Sequence, residues 1–237
     1  MSSRWILFFA VPEEARPFLD LRARRGIAPI PLSPPIPGAL GWRVGPGDIW
    51  VTGMGRRKAL AVAEAVLTEE IEWVVTSGFA GGLDPALATG TIVHELDPGF
   101  PLRLPSNPQI CAGRFHLAES VAASAAAKAA LRSATGTDAV DMESQAIRDL
   151  CGIRGVASAT IRVISDAANE DLPLDFGALM TPDQRIDFPK LAWTLLKSPG
   201  KIPSLIGFSR RLGRASTALA TTLDRMIEDQ SSASATG

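Results

Sequence analysis

Residues 73–85 read WVVTSGFAGGLDP, an apolar run rich in β-branched residues followed by three closely spaced glycines. An apolar run of this length that ends in turn residues is typical of a strand buried on both faces. Glycines this dense let the backbone approach a ligand closely, but a crowded turn with positive φ angles requires them as well. The stretch therefore predicts a central strand at 73–77, with either a ligand site or a tight turn at its carboxyl end.

The same alternation continues on both sides of this stretch. Further apolar runs predict strands at 5–11, 48–52, 91–95, 139–141 and 156–164, and helical patterns occupy 13–24, 56–68, 120–133, 144–150 and two C-terminal stretches. This order predicts an α/β fold, a single three-layer α/β/α domain with a mixed, largely parallel central sheet. We expect the main domain at 1–186, a basic helical extension at 187–229 and a disordered tail at 230–237.

Two proline-broken segments interrupt the alternation. Residues 27–41 contain five prolines and predict a loop, and 96–108 predict a lip or lid. Ligands of open α/β sheets bind beyond the carboxyl ends of the strands. We therefore expect these two segments to border the site and to set its specificity.

Composition excludes several classes of protein. The 24 basic and 25 acidic residues give a net charge of −1, without the basic excess of a general nucleic-acid binder. No apolar run approaches the ~18 residues of a membrane span. The run at 5–11 has only seven residues, no small-residue cleavage site follows it and Glu13 and Glu14 come directly after it, so a buried strand is expected rather than a signal peptide. Cys111 and Cys151 lack metal-like spacing, so we expect a reduced, cytoplasmic compartment.

Acidic and glycine-rich clusters stand at the predicted strand ends. Glu13 and Glu14 form a carboxylate pair at a strand-to-helix turn, where acids also complement the helix dipole. Residues 53–57, GMGRR, open a helix and predict either an anion site on backbone amides or a tight turn, with the two arginines in solvent. Glu143 and Asp166 follow two further apolar strands, and acids that converge there are costly unless ligands, cations or protons compensate them.

Taken together, these clusters resemble the nucleoside phosphorylase/nucleosidase superfamily, in particular its methylthioadenosine/S-adenosylhomocysteine nucleosidase-like branch. The resemblance extends to about residue 171. It rests on five motifs in the right order and spacing: AVPEE (10–14), TGMG (52–55), TSGFAGGLDP (76–85), AVDMES (139–144) and IRVISDAA (161–168). It implies a nucleoside phosphorylase-like fold, a purine nucleoside as partner, no cofactor or metal, and a homodimer.

The resemblance also implies catalytic roles. Glu14 matches the carboxylate that activates the attacking water, and Arg162 the guanidinium that positions this water. Asp166 matches the acid that delivers a proton towards N7 of the purine, with Ser165 as its neighbour. For this step Asp166 must hold a proton near neutral pH, and we expect burial to raise its pKa accordingly.

Substrate contacts are implied in the same way. Glu143 matches the acid that holds the ribose 2′- and 3′-hydroxyls, and Met142 packs against the sugar. Ser120 and Val121 fall near the backbone that grips the purine edge. Three residues of the glycine-rich turn, Phe79, Ala80 and Gly81, complete the expected binding set. Phe79 departs from the family, which usually has a small hydroxyl residue near the water and the ribose.

Two reactions share this chemistry. The Glu14 carboxylate repels phosphate, and Thr76 stands where bacterial phosphorylases often carry an arginine, so the residues favour hydrolysis. Phosphate-dependent cleavage of the same bond, with phosphate as co-substrate, is the first alternative. A non-catalytic nucleoside- or lipid-binding protein is the second, although a binder has no use for an acid beside the base.

A narrower similarity concerns residues 123–146 and 187–211, which look like hopanoid-associated members of the superfamily, implicated in removing adenine from adenosylhopane. From 188 to 223 there are six basic residues and no acidic ones. Leu212 and Leu219 lie on one apolar helical face, whereas Arg210, Arg211 and Arg214 lie opposite. The helix therefore packs on its own domain or on a dimer partner, or contacts anionic lipid at the inner membrane surface with Trp193 as an anchor.

Overall fold

Within the residues that the computed structural model describes, 4–174, 200 and 202–234, ten strands form one mixed sheet. The strands are Arg4–Phe9 (β1), Ile30–Leu32 (β2), Leu40–Val44 (β3), Gly47–Val51 (β4), Ile71–Gly82 (β5), Ile92–Leu96 (β6), Ile110–Ala112 (β7), Phe115–Leu117 (β8), Ala139–Asp141 (β9) and Ala157–Asp166 (β10). The helices are Pro12–Arg24 (α1), Arg56–Val66 (α2), Ala125–Thr135 (α3), Ser144–Arg154 (α4) and Ile202–Ser234 (α5).

The sheet has the order β2-β3-β4-β1-β5-β10-β6-β7, with β9 paired to the end of β5 and β8 paired to β9. Its centre, β4-β1-β5-β10, is parallel, with Leu7 opposite Val75 and Val75 opposite Ala159. The flanking strands β3 and β6 run antiparallel. The central strands are almost entirely buried because helices cover both of their faces.

Side chains alternate between two helical layers. On one face, Leu7 and Trp73 join a core with Phe18 of α1 and Leu219 of α5. On the other face, Ile6, Phe8 and Val74 pack with Val62 of α2 and Ile147 of α4. The predicted three-layer α/β/α class with a mixed, largely parallel sheet is confirmed.

The long helix α5 has two distinct parts. Its second part packs on the core through Leu219, Leu223 and Met226, and Asp224 is fully buried against Arg22 of α1 at 2.8 Å. Arg210, Arg211 and Arg214 in the first part are exposed. The helix ends at Ser234, within the predicted tail, whereas the second predicted C-terminal helix and Trp193 lie outside the described residues. None of the described helices has the length and hydropathy to cross a membrane.

The predictions for two segments and one helix boundary need correction, and the sequence does not predict strands β3, β7 and β8. Residues 27–41 are not entirely a loop, because Ile30–Leu32 forms the edge strand β2, where prolines are tolerated. In segment 96–108, Leu102 is buried in the core, so this segment is not a free lid. Helix α3 starts at Ala125 rather than at 120, since the hydroxyl of Ser124 caps it by accepting from the Ala127 amide.

Candidate active site

A cavity of about 260 Å³ lies beyond the carboxyl ends of β1, β5 and β10, where ligands of open α/β sheets bind. The structure brings together around this cavity every residue for which the sequence predicts a catalytic or substrate-binding role: Glu14, Phe79, Ala80, Gly81, Ser120, Val121, Met142, Glu143, Arg162, Ser165 and Asp166. Glu143 and Asp166, which follow strands, and Glu14, which lies in α1, therefore line the same cavity.

Glu14 lies in the first turn of α1, directly after β1, and is buried. Its Oε2 accepts hydrogen bonds from the amides of Ala10 (2.9 Å) and Val11 (3.2 Å), and its Oε1 accepts one from the Phe79 amide (2.8 Å). Burial raises the pKa of Glu14, whereas the Arg162 charge and these amides partly oppose the rise. The other acid of the pair is exposed, so only Glu14 can act on a molecule in the cavity.

Gly78 explains part of the glycine density in β5. Its φ of +131° lies in a region that side chains rarely adopt, and a Cβ there would lie 2.5 Å from the carboxyl carbon of Glu14. The glycine thus makes room for a carboxylate of the protein itself. The predicted turn is wrong, because β5 continues through Gly78 to Gly82, and the close approach that Gly78 permits is to a side chain of the protein.

Arg162 projects from β10 into the centre of the site and is 2% exposed. Its Nε donates to the Ser144 hydroxyl (2.9 Å) and lies 2.8 Å from Oδ2 of Asp141. Its Nη1 donates to the Phe79 carbonyl (2.9 Å), and its Nη2 donates to Oε2 of Glu143 (3.3 Å). Protein groups therefore hold all three guanidinium nitrogens in one fixed orientation.

Glu143 is held from two sides. Besides Arg162, it binds the amide of Gly55, at the N-terminus of α2, which donates to its Oε1 at 2.7 Å. Burial raises the pKa of Glu143 to about 7; Arg162 opposes this rise and Asp141 adds to it. The glycine turn at 53–55 thus binds a carboxylate of the protein, and the two arginines that follow it are exposed.

The charges in this region are unbalanced. Three buried acids, Glu14, Asp141 and Glu143, surround the single guanidinium of Arg162. Burial lowers the pKa of Arg162, but the three carboxylates more than offset this and keep it above the usual value. When ionised, the acids leave excess negative charge beside the cavity, which favours a sugar that develops positive charge in a transition state.

Asp166 ends β10 and also lines the cavity, and its surroundings differ from the expectation. Its Oδ1 contacts the Ser165 hydroxyl, and its Oδ2 contacts the ammonium of Lys128, which is fully buried. The sequence predicts burial as the only influence on this carboxyl, whereas the structure also places a buried cation beside it. Sequence reasoning missed Lys128 because a lone lysine in an alanine-rich helix predicts a solvated side chain.

The outer wall of the cavity is apolar and comes largely from elements not predicted to reach it. Phe208 and Leu212 of α5 line it together with Met54 and Leu172. Of the described residues in 27–41 and 96–108, none lines the cavity, so the expectation that these segments border it is wrong. The apolar periodicity of α5 was the available signal, but it did not show which surface the helix covers.

Phe79 serves the site mainly through its backbone, whose amide binds Glu14 and whose carbonyl binds Arg162. Its half-buried ring packs against the core. Ser120 and Val121 lie in the irregular segment before α3 and line the cavity. The bulky ring thus leaves the carboxylate and the guanidinium fully coordinated.

This fold is the nucleoside phosphorylase-like fold. Over 97% of this chain and 99% of the other, it matches the methylthioadenosine/S-adenosylhomocysteine nucleosidase of Helicobacter pylori, solved with butyl-thio-DADMe-Immucillin-A (TM-score 0.67, 16% identity). The futalosine hydrolase of the same organism matches with a TM-score of 0.65 and 17% identity, over 96% and 98% of the two chains. The Neisseria meningitidis nucleosidase, solved with methylthio-immucillin-A, matches with a TM-score of 0.66 and 16% identity, over 96% and 100%.

Sequence comparison gives a more local result. Residues 102–188 match the profile of the Phosphorylase superfamily. This segment contains Lys128, Glu143, Arg162 and Asp166, but not Glu14. No curated protein sequence matches the chain.

Proposed function

We propose that the protein is a nucleosidase, an N-ribosyl hydrolase that releases adenine from a 5′-substituted adenosine. The observation that carries this proposal is the placement of Glu14 and Asp166 at one cavity that Arg162 and Glu143 also line. A purine riboside whose base lies towards Asp166 and whose sugar lies towards Glu143 has its C1′ accessible from the side of Glu14. Cleavage of a glycosidic bond requires an acid and a base in this relation.

The reaction follows from these positions. Asp166 gives a proton to N7, and the electron pair of the C1′–N9 bond moves to the base, so that adenine leaves. Glu14 takes a proton from water as the water oxygen bonds to C1′, which has oxocarbenium character. Glu143 accepts hydrogen bonds from the ribose hydroxyls, and its charge stabilises the cationic sugar. Because its pKa is about 7, Glu143 becomes ionised near neutral pH.

The hydrogen bonds that the backbone amides donate to carboxylates favour hydrolysis over phosphorolysis. The amides of Ala10, Val11 and Phe79 all donate to Glu14, and that of Gly55 donates to Glu143, so carboxylates occupy the donors that an anion would need. Thr76 is buried and bonds to the Ser144 hydroxyl, behind the cavity. A phosphate at this position would have to displace or face two acidic side chains.

The apolar wall supports an apolar 5′ substituent. Met54, Leu172, Phe208 and Leu212 offer no charged group to bind the amino-acid portion of S-adenosylhomocysteine. Together with the resemblance to hopanoid-associated proteins, this wall supports adenosylhopane as the preferred substrate. The homodimer, the absence of a cofactor and the cytoplasmic location stay predictions.

A substrate panel tests the proposal. Release of free adenine is measured for methylthioadenosine, S-adenosylhomocysteine and adenosylhopane, with inosine as the control for the base, each with and without phosphate. We expect adenine release with the highest kcat/KM for adenosylhopane, rates unchanged by phosphate, and a free ribose derivative as the second product. A strict phosphate requirement with a ribose 1-phosphate product would instead establish a phosphorylase.

A lipid-linked substrate gives the first part of α5 a further role, and we propose that it contacts anionic lipid. Ile206 is 48% exposed there, and Arg210 and Arg214 are exposed, while Phe208 and Leu212 of the same part line the cavity. Basic side chains beside an exposed apolar one favour a negatively charged membrane surface. The cavity wall would then stand next to the surface that holds the substrate.

Vesicle co-sedimentation tests the lipid contact. We expect the Arg210→Gln/Arg214→Gln variant to bind phosphatidylglycerol vesicles about tenfold or more weakly, since each arginine contributes about 1 kcal/mol. Arg211 is left in place because its guanidinium stacks on Phe208. The control variant, Arg16→Gln/Arg24→Gln, removes two exposed charges from α1 and should bind normally. Absence of salt-sensitive binding by the unmodified protein would rule out the contact.

A further inference from the structure

Lys128 is a buried charge that the mechanism above does not use. It lies in α3, and its side chain has no exposed surface. Lysine is almost never fully buried unless it is paired. The ammonium has three N–H groups and three acceptors: Oδ2 of Asp166, the Ala167 carbonyl (2.8 Å) and the Glu170 carbonyl (2.8 Å). Every donor is therefore used, and the ammonium is held in one position.

The two oxygens of Asp166 consequently have different partners. Oδ2 faces the ammonium, so a proton on Oδ2 would face another donor. Oδ1 contacts the hydroxyl of Ser165, which also lies 3.1 Å from the carbonyl oxygen of Ala80. A hydroxyl has one hydrogen to donate. If Ser165 donates it to Ala80, the hydrogen between Ser165 and Asp166 must come from Oδ1 of Asp166.

From this arrangement we propose that Lys128 is the positioning residue for the acid Asp166: it occupies Oδ2, directs the transferable proton to Oδ1 and stabilises the carboxylate that remains after the transfer. The proposal rests on the proposed nucleosidase function. In the transfer the Oδ1–H bond breaks, its electron pair stays on Asp166, and the N7–H bond of adenine forms. Lys128 keeps all its protons throughout.

The effect of Lys128 should be specific to the departing base. Negative charge appears on Asp166 only as the proton leaves, and a fixed, fully buried ammonium stabilises that charge without reorganising. A substrate whose leaving group departs without a proton gains nothing from this stabilisation. Comparing a substrate that releases a purine with one that releases nitrophenolate therefore distinguishes this role of Lys128 from a merely structural one.

The test compares Lys128→Met with the unmodified protein on the best nucleoside of the panel and on 4-nitrophenyl β-ribofuranoside. We expect kcat for adenine release to fall roughly 100-fold, with KM and nitrophenol release within about threefold. Arg132→Met is the matched control, because Arg132 lies one turn further along α3 and pairs with Asp84 and Asp138 away from the cavity. It should leave both activities unchanged.

Equal losses on the two substrates, or no loss on either, would overturn the inference.

The single variant leaves a buried carboxyl without its cation and so carries a risk of misfolding. A second comparison, of Asp166→Asn with Asp166→Asn/Lys128→Met, avoids the unpaired carboxylate. In the Asp166→Asn background we expect Lys128→Met to cause no further loss of adenine release. A further loss would contradict action through Asp166. If the unmodified protein releases no adenine from any substrate, the proposed function fails instead.

Discussion

Replacing Asp166 by asparagine is expected to lower kcat for adenine release by about 10³-fold, within the range attributed to a general acid. The amide cannot give up a proton as a carboxylic acid does, so N7 stays unprotonated and adenine remains a poor leaving group. The side chain keeps its shape and a hydrogen-bond donor, and nucleoside binding should therefore change little. Steady-state kinetics and binding of an uncleaved nucleoside analogue check the two expectations.

The matched control is Asp149→Asn, an exposed position on α4. It introduces the same chemical change and should leave kcat and KM as they are. Turnover by Asp166→Asn close to that of the unmodified protein would disprove the assignment of the acid. It would also leave the non-catalytic binding protein as the better interpretation of the cavity.

Glu14→Gln is expected to have a comparable effect, a loss of about 10²–10⁴-fold in kcat, because the amide cannot accept a proton from water. It also carries a structural cost. Both carboxylate oxygens accept from backbone amides, and the new NH₂ group would face an N–H of Ala10 and Val11 or of Phe79. An unsatisfied donor of this kind costs about 1–3 kcal/mol of the free energy of unfolding.

The control is the adjacent acid. Glu13 stands in the same helical turn but is exposed, so Glu13→Gln should leave kcat and the unfolding midpoint unchanged. Kinetics combined with thermal unfolding separate the two effects of Glu14→Gln. If both variants turn over normally, Glu14 is not the base, and the acidic pair only complements the dipole of α1.

Local sequence pattern was sufficient to predict the central sheet and most residues of the candidate active site. The strand at 73–77 and the short strand at 139–141 follow from apolar, β-branched runs. The glycines and acids directly after such runs marked the carboxyl edge of the sheet, and at that edge the structure brings Glu14, Glu143 and Asp166 together. Order along the chain was informative for Glu14 and Asp166 because the parallel strands β1, β5 and β10 present their carboxyl ends on one side. Glu143 follows β9, which runs antiparallel to the end of β5, so its place at the cavity depends on that pairing.

The features that the sequence did not predict have a different physical origin, since they depend on contacts between segments distant in sequence. Lys128 and Asp166 lie in separate elements, and no periodicity within α3 indicates that one lysine faces inward. Phe208 belongs to an apolar helical face whose partner surface is set by packing alone. The strand β2 was hidden by Pro31 and by the prolines on either side of it, because its pairing with β3 rather than its own composition defines it.

The buried Arg22–Asp224 pair fixes α5 to α1 at a point far from the part of α5 that lines the cavity. Phe208 precedes Asp224 by sixteen residues, or about 24 Å of helix. With this pair taken as a pivot, a tilt of α5 by roughly 5° would move Phe208 by about 2 Å. Exchanges of side chains around the pivot can consequently widen or narrow the cavity while every residue that touches the nucleoside stays the same.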